Sequence, residues 1–243
     1  MLIPSIFKPY NLIAAQSTRL NHLLKQSGKM QVREFSNESD LFDRNQARDE
    51  FLSQLGLKPD QLAFSHQVHE NKILVANKPQ GAEGYDAIIT NKPNVYACVT
   101  IADCTPVLVY DTKNKAVAAI HAGWRGTVAK IVEETLKTMQ QQYGTKGEDC
   151  LAYIGACIGK NNFEVGDEVA VHFPDDEKKF NTGKKKYYVD LKLANKKQLR
   201  AFGVKESNIE ISDACTISDN DKFYSYRLEK GKTGRMLALI GMI

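Results

Sequence analysis

The 243-residue sequence lacks long apolar runs, a strong excess of charge of one sign and a paired set of cysteines. Apolar stretches such as Val95 to Ala102 fall far short of the ~20 residues that a membrane-spanning helix needs. The 33 basic and 29 acidic side chains leave a net charge of +4, too small to indicate a nucleic-acid or membrane-surface partner. We therefore expect neither nucleic acid nor membrane among its partners.

The cysteines are odd in number and scattered, at Cys98, Cys104, Cys150, Cys157 and Cys215. A secreted domain held together by disulfides typically has an even, regularly spaced set. The N-terminal residues also lack a basic stretch followed by an apolar segment, the pattern of a secretory signal. We expect reduced thiols, a cytoplasmic location and a single domain over residues 1–243, since 42% hydrophobic residues is typical of a globular protein.

Short apolar runs bounded by polar turns predict β-strands. The predicted strands are Lys72 to Ala76, Asp86 to Thr90, Val95 to Ala102, Val107 to Tyr110, Ala116 to Ile120, Asn208 to Ile211 and Met236 to Ile243. Helices are predicted over Ala47 to Leu55, closed by Gly56, and over Thr127 to Tyr143, closed by Gly144. This mixture of hairpins and helices favours a layered α+β fold over a doubly wound parallel sheet.

A predicted hairpin brings a cysteine close to a histidine. The polar residues 111–115 separate two apolar runs and predict the turn. In the shorter of two possible loops, paired residue numbers sum to 225 and Cys104 lies opposite His121. In a loop two residues longer the sum is 227, and Pro106 faces His121. Either register makes Cys104 and His121 neighbours, close enough to share a metal ion or a proton.

The turn that follows His121 contains the only tryptophan and two glycines, which allow close approach of a ligand to the backbone. Arg125 stands just ahead of the predicted helix, so that this turn is a candidate anion site. A buried cysteine, a hydrogen-bonded histidine and a purely structural turn would explain the same pattern. Upstream, His66 and His69 flank Gln67-Val68 just before a predicted strand, a pattern that solvent exposure or capping also explains.

Eight short motifs occur in one order between Arg48 and Ile243. They are Gln67-Val68-His69, residues 102–107 (ADCTPV), 121–127 (HAGWRGT), 154–159 (IGACIG), 163–166 (FEVG), 213–216 (DACT), 223–227 (FYSYR) and 233–235 (TGR). In this order they resemble the bacterial laccase-domain family, also called the polyphenol oxidase or YfiH-like family. Some of its members are assigned as purine nucleoside phosphorylases. Together with the predicted elements, the resemblance implies a layered α/β/β/α sandwich with mixed, largely antiparallel sheets.

The resemblance implies one zinc ion bound by His69, Cys104 and His121. Imidazole and thiolate suit zinc, and three protein ligands with an open fourth position are typical of a catalytic site. Copper is the alternative metal, because a His₂Cys set can also hold it.

The implied reaction is phosphorolysis of purine nucleosides, with adenosine, inosine and methylthioadenosine as substrates and adenosine deamination as a companion activity. We assign phosphate binding to Arg48 and Arg125, and further substrate contacts to Gln67 and Arg227. Asp103 is assigned either the relay of a proton or the orientation of a zinc-bound water. The partners expected are therefore purine nucleosides and phosphate, with the chain a monomer or a homodimer. The usual nucleobase-deaminase signature, His-x-Glu with Pro-Cys-x-x-Cys, is absent from the sequence.

The sequence departs from the family pattern in two places. Ala156 stands where the family usually has proline. The family's N-terminal glycine-rich segment, with its substrate-facing asparagine, has only partial echoes here, in residues 17–19 (STR) and 35–37 (FSN). Substrate contacts from that end therefore have no assignment.

Three other functions remain open. A copper polyphenol oxidase would need more imidazoles than the three, His22, His66 and His172, left outside the proposed site. A cysteine hydrolase, or a factor that edits cell-wall precursors, would use Cys104 as nucleophile and His121 as base. The third is a zinc-binding protein without catalytic activity.

Overall fold

The computed structural model describes residues 1–19 and 39–243, with side chains from Gln46 onward in the second range. The strands are β1 (Leu12–Gln16), β2 (Leu62–His66), β3 (Ile73–Val75), β4 (Gln80–Glu83), β5 (Ala87–Thr90), β6 (Tyr96–Ile101), β7 (Thr105–Asp111), β8 (Ala116–Ala122), β9 (Cys150–Ile154), β10 (Glu164–Val165), β11 (Lys178–Asn181), β12 (Lys186–Val189), β13 (Ile209–Ile211) and β14 (Met236–Met242). The α-helices are α1 (Ser39–Gln54), α2 (Trp124–Val128), α3 (Ile131–Tyr143), α4 (Asp167–Ala170) and α5 (Leu191–Ala201). His22 and the partial echo at 35–37 lie outside the described residues.

Two large mixed sheets form the centre of the fold. One has the strand order β1-β14-β6-β2-β4 and the other β13-β9-β7-β8-β5-β3, while β10, β12 and β11 form a small third sheet. Antiparallel pairs outnumber parallel ones among the described strands. Each predicted strand corresponds to an observed one, within a few residues at its ends.

Alternating side chains on the central strands build two cores. Val107 and Val109 on β7 pack against the core beneath α3 and α5. Leu108 and Tyr110, pointing the other way, pack between the two large sheets. A strand that is buried on both faces is expected to have a continuous run of apolar residues, as β7 has from Val107 to Tyr110.

Helix α1 covers the outer face of the five-stranded sheet. Phe51 and Leu52 are buried there against Tyr96 and Cys98. The helix begins well before the predicted Ala47, and Gly56 follows it with a φ of 71°, a conformation that favours glycine. The resulting order of layers is helix, sheet, sheet, helix, which confirms the predicted α/β/β/α arrangement.

The predicted helix over 127–143 is wrong as a single element, because the structure breaks it at Lys130 (φ 58°). The break is stabilised by the buried Gln198 on α5. Its Oε1 accepts the N–H groups of Val132 (3.1 Å) and of the next residue (3.2 Å), and its Nε2 donates to the carbonyl of Thr127 (2.9 Å). In a continuous helix that carbonyl would accept the N–H of residue 131 instead. A tertiary contact therefore overrides the local helical pattern.

The five cysteines carry free thiols. No helix within 1–19 or 39–243 is long and apolar enough to cross a membrane.

Candidate metal centre

Three side chains from three separate segments converge at one end of the β7–β8 hairpin. They are His69 in the loop after β2, Cys104 in the turn before β7 and His121 near the end of β8. Their candidate ligand atoms all lie within 4.8 Å of one another, and within the described ranges no other group of three His, Cys, Asp or Glu is so placed. The two imidazole rings meet edge to face, with centroids 4.8 Å apart.

The register of the hairpin explains why Cys104 and His121 share a face. Thr105 pairs with Ala122 and Pro106 with His121, so the paired numbers sum to 227. The longer of the two predicted loops is therefore confirmed, and the direct pairing of Cys104 with His121 is wrong. One step further, Cys104 falls opposite Gly123, two residues beyond His121. Since side chains alternate along a strand, Cys104 and His121 are diagonal neighbours on one side.

The longer loop has a clear local cause. The buried carboxylate of Asp111 accepts the N–H groups of Lys113 (3.0 Å) and Asn114 (2.9 Å) through Oδ1, and the side-chain amide of Asn114 (2.9 Å) through Oδ2. Lys115 completes the turn with a φ of 52°. Four residues thus separate the strands, which shifts the register by two from the shorter alternative.

Asp86 contacts two of the candidate ligand residues, and the sequence analysis did not identify it. Its buried carboxylate lies 2.8 Å from Nδ1 of His121 and accepts the N–H groups of Val68, His69 and Glu70. The sequence shows it only as the first residue of a predicted strand, a position that carries no sign of a partner 35 residues away.

The hydrogen bond to Asp86 assigns the tautomer of His121. A carboxylate accepts but does not donate, so Nδ1 carries the proton and Nε2 is left for a metal ion. His69 is exposed, Cys104 is partly buried and His121 is 2% exposed, so the cluster is closed on one side and open to solvent on the other. The donor set fits zinc: two imidazoles, one thiolate and an open side for a fourth ligand.

Electrostatics favours a thiolate at Cys104. Burial by itself would raise the pKa of Cys104, but the adjacent His121 and His69 lower it to about 6. Burial would lower the pKa of His121, whereas Cys104 and Asp86 raise it to about 9. Without a metal the two groups therefore form a thiolate–imidazolium pair at neutral pH, and the thiolate is the form that binds zinc.

Asp103 lies beside the cluster in sequence but both its oxygens are engaged. The hydroxyl of Thr216 donates to Oδ1 (2.5 Å) and the backbone N–H of Arg227 donates to Oδ2 (2.7 Å). Its φ of 87° places it in the left-handed region that non-glycine residues rarely adopt. These bonds hold the turn that carries Cys104 against two distant loops.

Gln67 is likewise occupied. Its Nε2 donates to the carbonyl of Thr100 (2.8 Å), and its Oε1 accepts the N–H (2.7 Å) and hydroxyl (3.1 Å) of that residue. The guanidinium of Arg227 donates to the carbonyl of Glu164 (2.7 Å) and lies over the ring of Phe163. Gln67 thus ties the His69 loop to β6, and Arg227 ties its own loop to β10.

The two arginines assigned to phosphate differ in their surroundings. Arg125 is exposed, and its guanidinium lies 4.3 Å from the ring centroid of Trp124, which in turn stacks on His172. Within the described part of the chain it makes no hydrogen bond or ion pair, which leaves its N–H donors for a ligand. Arg48 on α1 is partly exposed and donates from Nε to Asp49 (3.0 Å).

A family model described as multi-copper polyphenol oxidoreductase laccase matches residues 35–243. The chain belongs to this family. Among relatives of this laccase-like chain, a purine nucleoside phosphorylase of Bacteroides thetaiotaomicron is 42% identical over 198 residues, covering 74% of this chain and 73% of the relative. The purine nucleoside phosphorylase YlmD of Bacillus subtilis is 36% identical over 194 residues, covering 74% and 70%.

Two solved structures share the fold of this chain. The hypothetical protein YfiH of Bacillus licheniformis matches with a TM-score of 0.86 and 25% identity, covering 100% of this chain and 96% of its own. YlmD of Geobacillus stearothermophilus matches with a TM-score of 0.83 and 26% identity, covering 98% and 94%. The resemblance identified from the eight motifs is thereby confirmed.

Proposed function

We propose that this chain is a zinc-dependent purine nucleoside phosphorylase. The observation that carries the proposal is the convergence of His69, Cys104 and His121 on one solvent-accessible point. Nearby in sequence, the guanidinium of Arg125 lies over the ring of Trp124 and makes no hydrogen bond or ion pair with any residue that the structure describes. The relatives named purine nucleoside phosphorylase, at 42% and 36% identity, support the reaction class. The donor set supports zinc as the metal.

The reaction proposed joins inorganic phosphate to C1′ of the ribose while the bond from C1′ to the purine nitrogen breaks. The products are the free purine and the 1-phosphate of the sugar, which is ribose 1-phosphate for adenosine and inosine. A zinc ion held by the three ligands would supply a Lewis acid that polarises a substrate oxygen or nitrogen. Arg125, whose N–H donors bond no residue that the structure describes, would bind two phosphate oxygens at once, and Arg48 would add a second positive charge.

The remaining assignments concern substrate placement and the proton. The departing purine needs a proton, and we assign its relay to Asp103, whose carboxylate neighbours the Cys104 turn. Gln67 and Arg227 border the site from the His69 loop and from the loop bonded to Asp103. Each engages part of its polar groups with the protein, so we propose that they shape the site as well as contact substrate.

We propose adenosine, inosine and methylthioadenosine as substrates, adenosine deamination as a second activity, and a cytoplasmic monomer or homodimer as the working form. The test is to incubate the purified protein with each nucleoside, with and without phosphate, and to identify the products by chromatography. We expect the free purine and a sugar 1-phosphate only when phosphate is present: ribose 1-phosphate from adenosine and inosine, and methylthioribose 1-phosphate from methylthioadenosine. Inosine is expected from adenosine if deamination occurs. Absence of purine release from all three nucleosides would contradict the proposal.

A cysteine hydrolase is the second candidate, and the thiolate–imidazolium pair of Cys104 and His121 favours it. A nucleophilic cysteine is activated by a base in the same way. Such a dyad has no need of a second imidazole, yet His69 lies within the same cluster. We therefore prefer the metal site, and alkylation of Cys104 with and without chelator separates the two functions.

A copper polyphenol oxidase is the third candidate, supported by the description of the family model. Oxidases with several copper ions need many imidazoles, whereas the whole sequence contains five histidines. Two of them already belong to the proposed site. Elemental analysis distinguishes copper from zinc directly.

A further inference from the structure

One buried carboxylate contacts both histidine ligands of the candidate metal centre. Asp86 has no solvent exposure, and its two oxygens accept four hydrogen bonds. Oδ1 accepts the N–H of His69 (2.9 Å) and faces Nδ1 of His121 (2.8 Å). Oδ2 accepts the N–H groups of Val68 (3.2 Å) and Glu70 (2.9 Å).

The position of Asp86 follows from the sheet. Strand β5 pairs with β8 so that Ala87 faces Ile120, which places Asp86 beside His121 one step further. The two residues are also joined through their backbones, since the N–H of His121 donates to the carbonyl of Asp86 (2.8 Å). On the other side, the N–H of Asp86 donates to the carbonyl of Lys72 (3.0 Å), which follows the His69 loop. Asp86 therefore stands between the two segments that carry the histidines.

The hydrogen bonds from the His69 loop to Asp86 stabilise an unfavourable backbone conformation at His69. His69 has a φ of 63°, a conformation that is unfavourable for a residue with a side chain. Three consecutive N–H groups point at one carboxylate, and this holds the loop in that conformation. His69 is exposed and has no strand of its own, so these bonds decide where its imidazole lies.

We propose that Asp86 is a positioning residue that sets the geometry of both histidine ligands. It fixes His121 with the proton on Nδ1, leaving Nε2 for the metal, and it holds the backbone of His69 so that the second imidazole faces the same point. It is not itself a ligand, because both its oxygens are already engaged. This inference rests on the proposed metal site. It identifies one residue, Asp86, on which the placement of two of the three metal ligands depends.

The test compares Asp86→Asn with a matched control, Asp111→Asn. Asp111 is another fully buried aspartate that accepts backbone N–H groups, but it lies at the opposite end of the β7–β8 hairpin. An asparagine side chain there keeps the Oδ1 oxygen that accepts the N–H groups of Lys113 and Asn114, so the register of the hairpin is retained. Zinc affinity is measured for both variants and the unaltered protein by competition with a chromogenic chelator. We expect Asp86→Asn to bind zinc about 10- to 100-fold more weakly, as for other partners of ligating histidines, and Asp111→Asn to bind it unchanged. Equal affinity in all three proteins, or equal loss in both variants, would overturn the proposal.

A second measurement needs neither a variant nor a metal. In the unaltered metal-free protein, NMR should show slow hydrogen exchange for the N–H groups of Val68, His69 and Glu70 and a slowly exchanging Nδ1 proton on His121. Fast exchange at all four positions would overturn the role of Asp86, even if Asp86→Asn failed to fold. If the protein bound no zinc, the proposed function would be contradicted. The hydrogen-exchange rates would still show whether Asp86 accepts the hydrogen bonds from the His69 loop and from His121.

Discussion

Gly123 faces Cys104 so closely that a Cβ atom on the glycine would lie 3.1 Å from the Sγ atom. The same Cβ would lie 3.2 Å from Cδ2 of His69. The backbone of Gly123, with φ −69° and ψ 170°, is one that any residue can adopt. Its lack of a side chain therefore provides space between two of the candidate ligands, and conformational freedom is not the reason for glycine here.

We expect Gly123→Ala to weaken zinc binding while the protein remains folded. An added methyl group in a tightly packed site costs about 1–3 kcal/mol, which corresponds to roughly 5- to 150-fold in affinity. The Kd for zinc and the melting temperature should be compared with those of Gly183→Ala, where the new Cβ would meet only Asn181 at 3.5 Å. Unchanged zinc affinity in Gly123→Ala would show that the metal does not lie between Cys104 and His69.

Replacement of Arg125 tests the phosphate site. Arg125→Ala should raise the KM for phosphate or reduce phosphorolysis by about 10- to 150-fold, because a hydrogen-bonded charge contributes about 1.5–3 kcal/mol. Zinc content should not change. Arg125→Lys keeps the positive charge but loses the bidentate hydrogen bonds to phosphate. We therefore expect its effect on the KM for phosphate, or on phosphorolysis, to be smaller than that of Arg125→Ala.

Arg48→Ala makes the same test for the second arginine, with steady-state kinetics at varied phosphate as the measurement. If neither the Arg125 nor the Arg48 variant changed the dependence on phosphate, the anion would bind elsewhere.

Asp103 can be tested as a proton relay apart from its structural bonds. If the carboxylate carries a proton, Asp103→Asn should lower kcat by about 10²- to 10⁴-fold and alter its pH profile. Thr216→Val is the matched control, because it removes the hydrogen bond to Oδ1 and leaves the carboxylate in place. Equal loss of kcat in both variants, with the pH profile unchanged, would assign Asp103 to positioning of the Cys104 turn.

The thiolate of Cys104 gives a pH dependence with a definite sign. In metal-free protein, iodoacetamide labelling of Cys104 should accelerate as the pH rises through about 6 and then level off, because the thiolate is the reactive form. His121→Ala should move this transition to higher pH, since the imidazolium that stabilises the thiolate is gone. Burial raises the pKa of Cys98, Cys150 and Cys157 to about 12, so these thiols should not react with iodoacetamide near neutral pH.

Cys215 needs a control of its own. Burial would raise its pKa, but N–H donors from Ser218, Gly159 and Ile217 and the amide of Asn162 lower it overall. The experiment therefore uses a Cys215→Ser background with labelled peptides mapped by mass. Zinc should protect Cys104, and a strong chelator should restore its reactivity. Rapid labelling of Cys104 in protein that retains its zinc would instead identify a nucleophile and contradict the metal site.

The sequence predicts much of this site because its pieces are local. Two apolar runs and a polar turn are enough to bring Cys104 near His121, whichever register forms. The register itself depends on the hydrogen bonds between Asp111 and Asn114 within the loop. The amino-acid sequence alone is compatible with both loop lengths. The motifs supply His69 only through the family resemblance, since its approach to the hairpin depends on a loop with no regular pattern.

What the sequence does not predict depends on contacts between distant residues. Asp86 reaches His121 across paired strands, whereas an aspartate just before an apolar run is equally typical of an ordinary turn. The break at Lys130 depends on Gln198, 68 residues further along, whose amide bonds groups on both sides of it. Local periodicity carries no trace of either contact, so the pattern alone predicts a single long helix.

The metal content of purified protein tests the central claim most directly. Elemental analysis of protein prepared without added metal should find about one zinc per chain, as expected for three protein ligands with an open fourth position. Cys104→Ala and His121→Ala should lose the zinc, while His66→Ala, which removes an exposed histidine close to the site in sequence, should retain it. Full zinc occupancy in both the Cys104 and the His121 variants, or copper in place of zinc in the unaltered protein, would contradict the account.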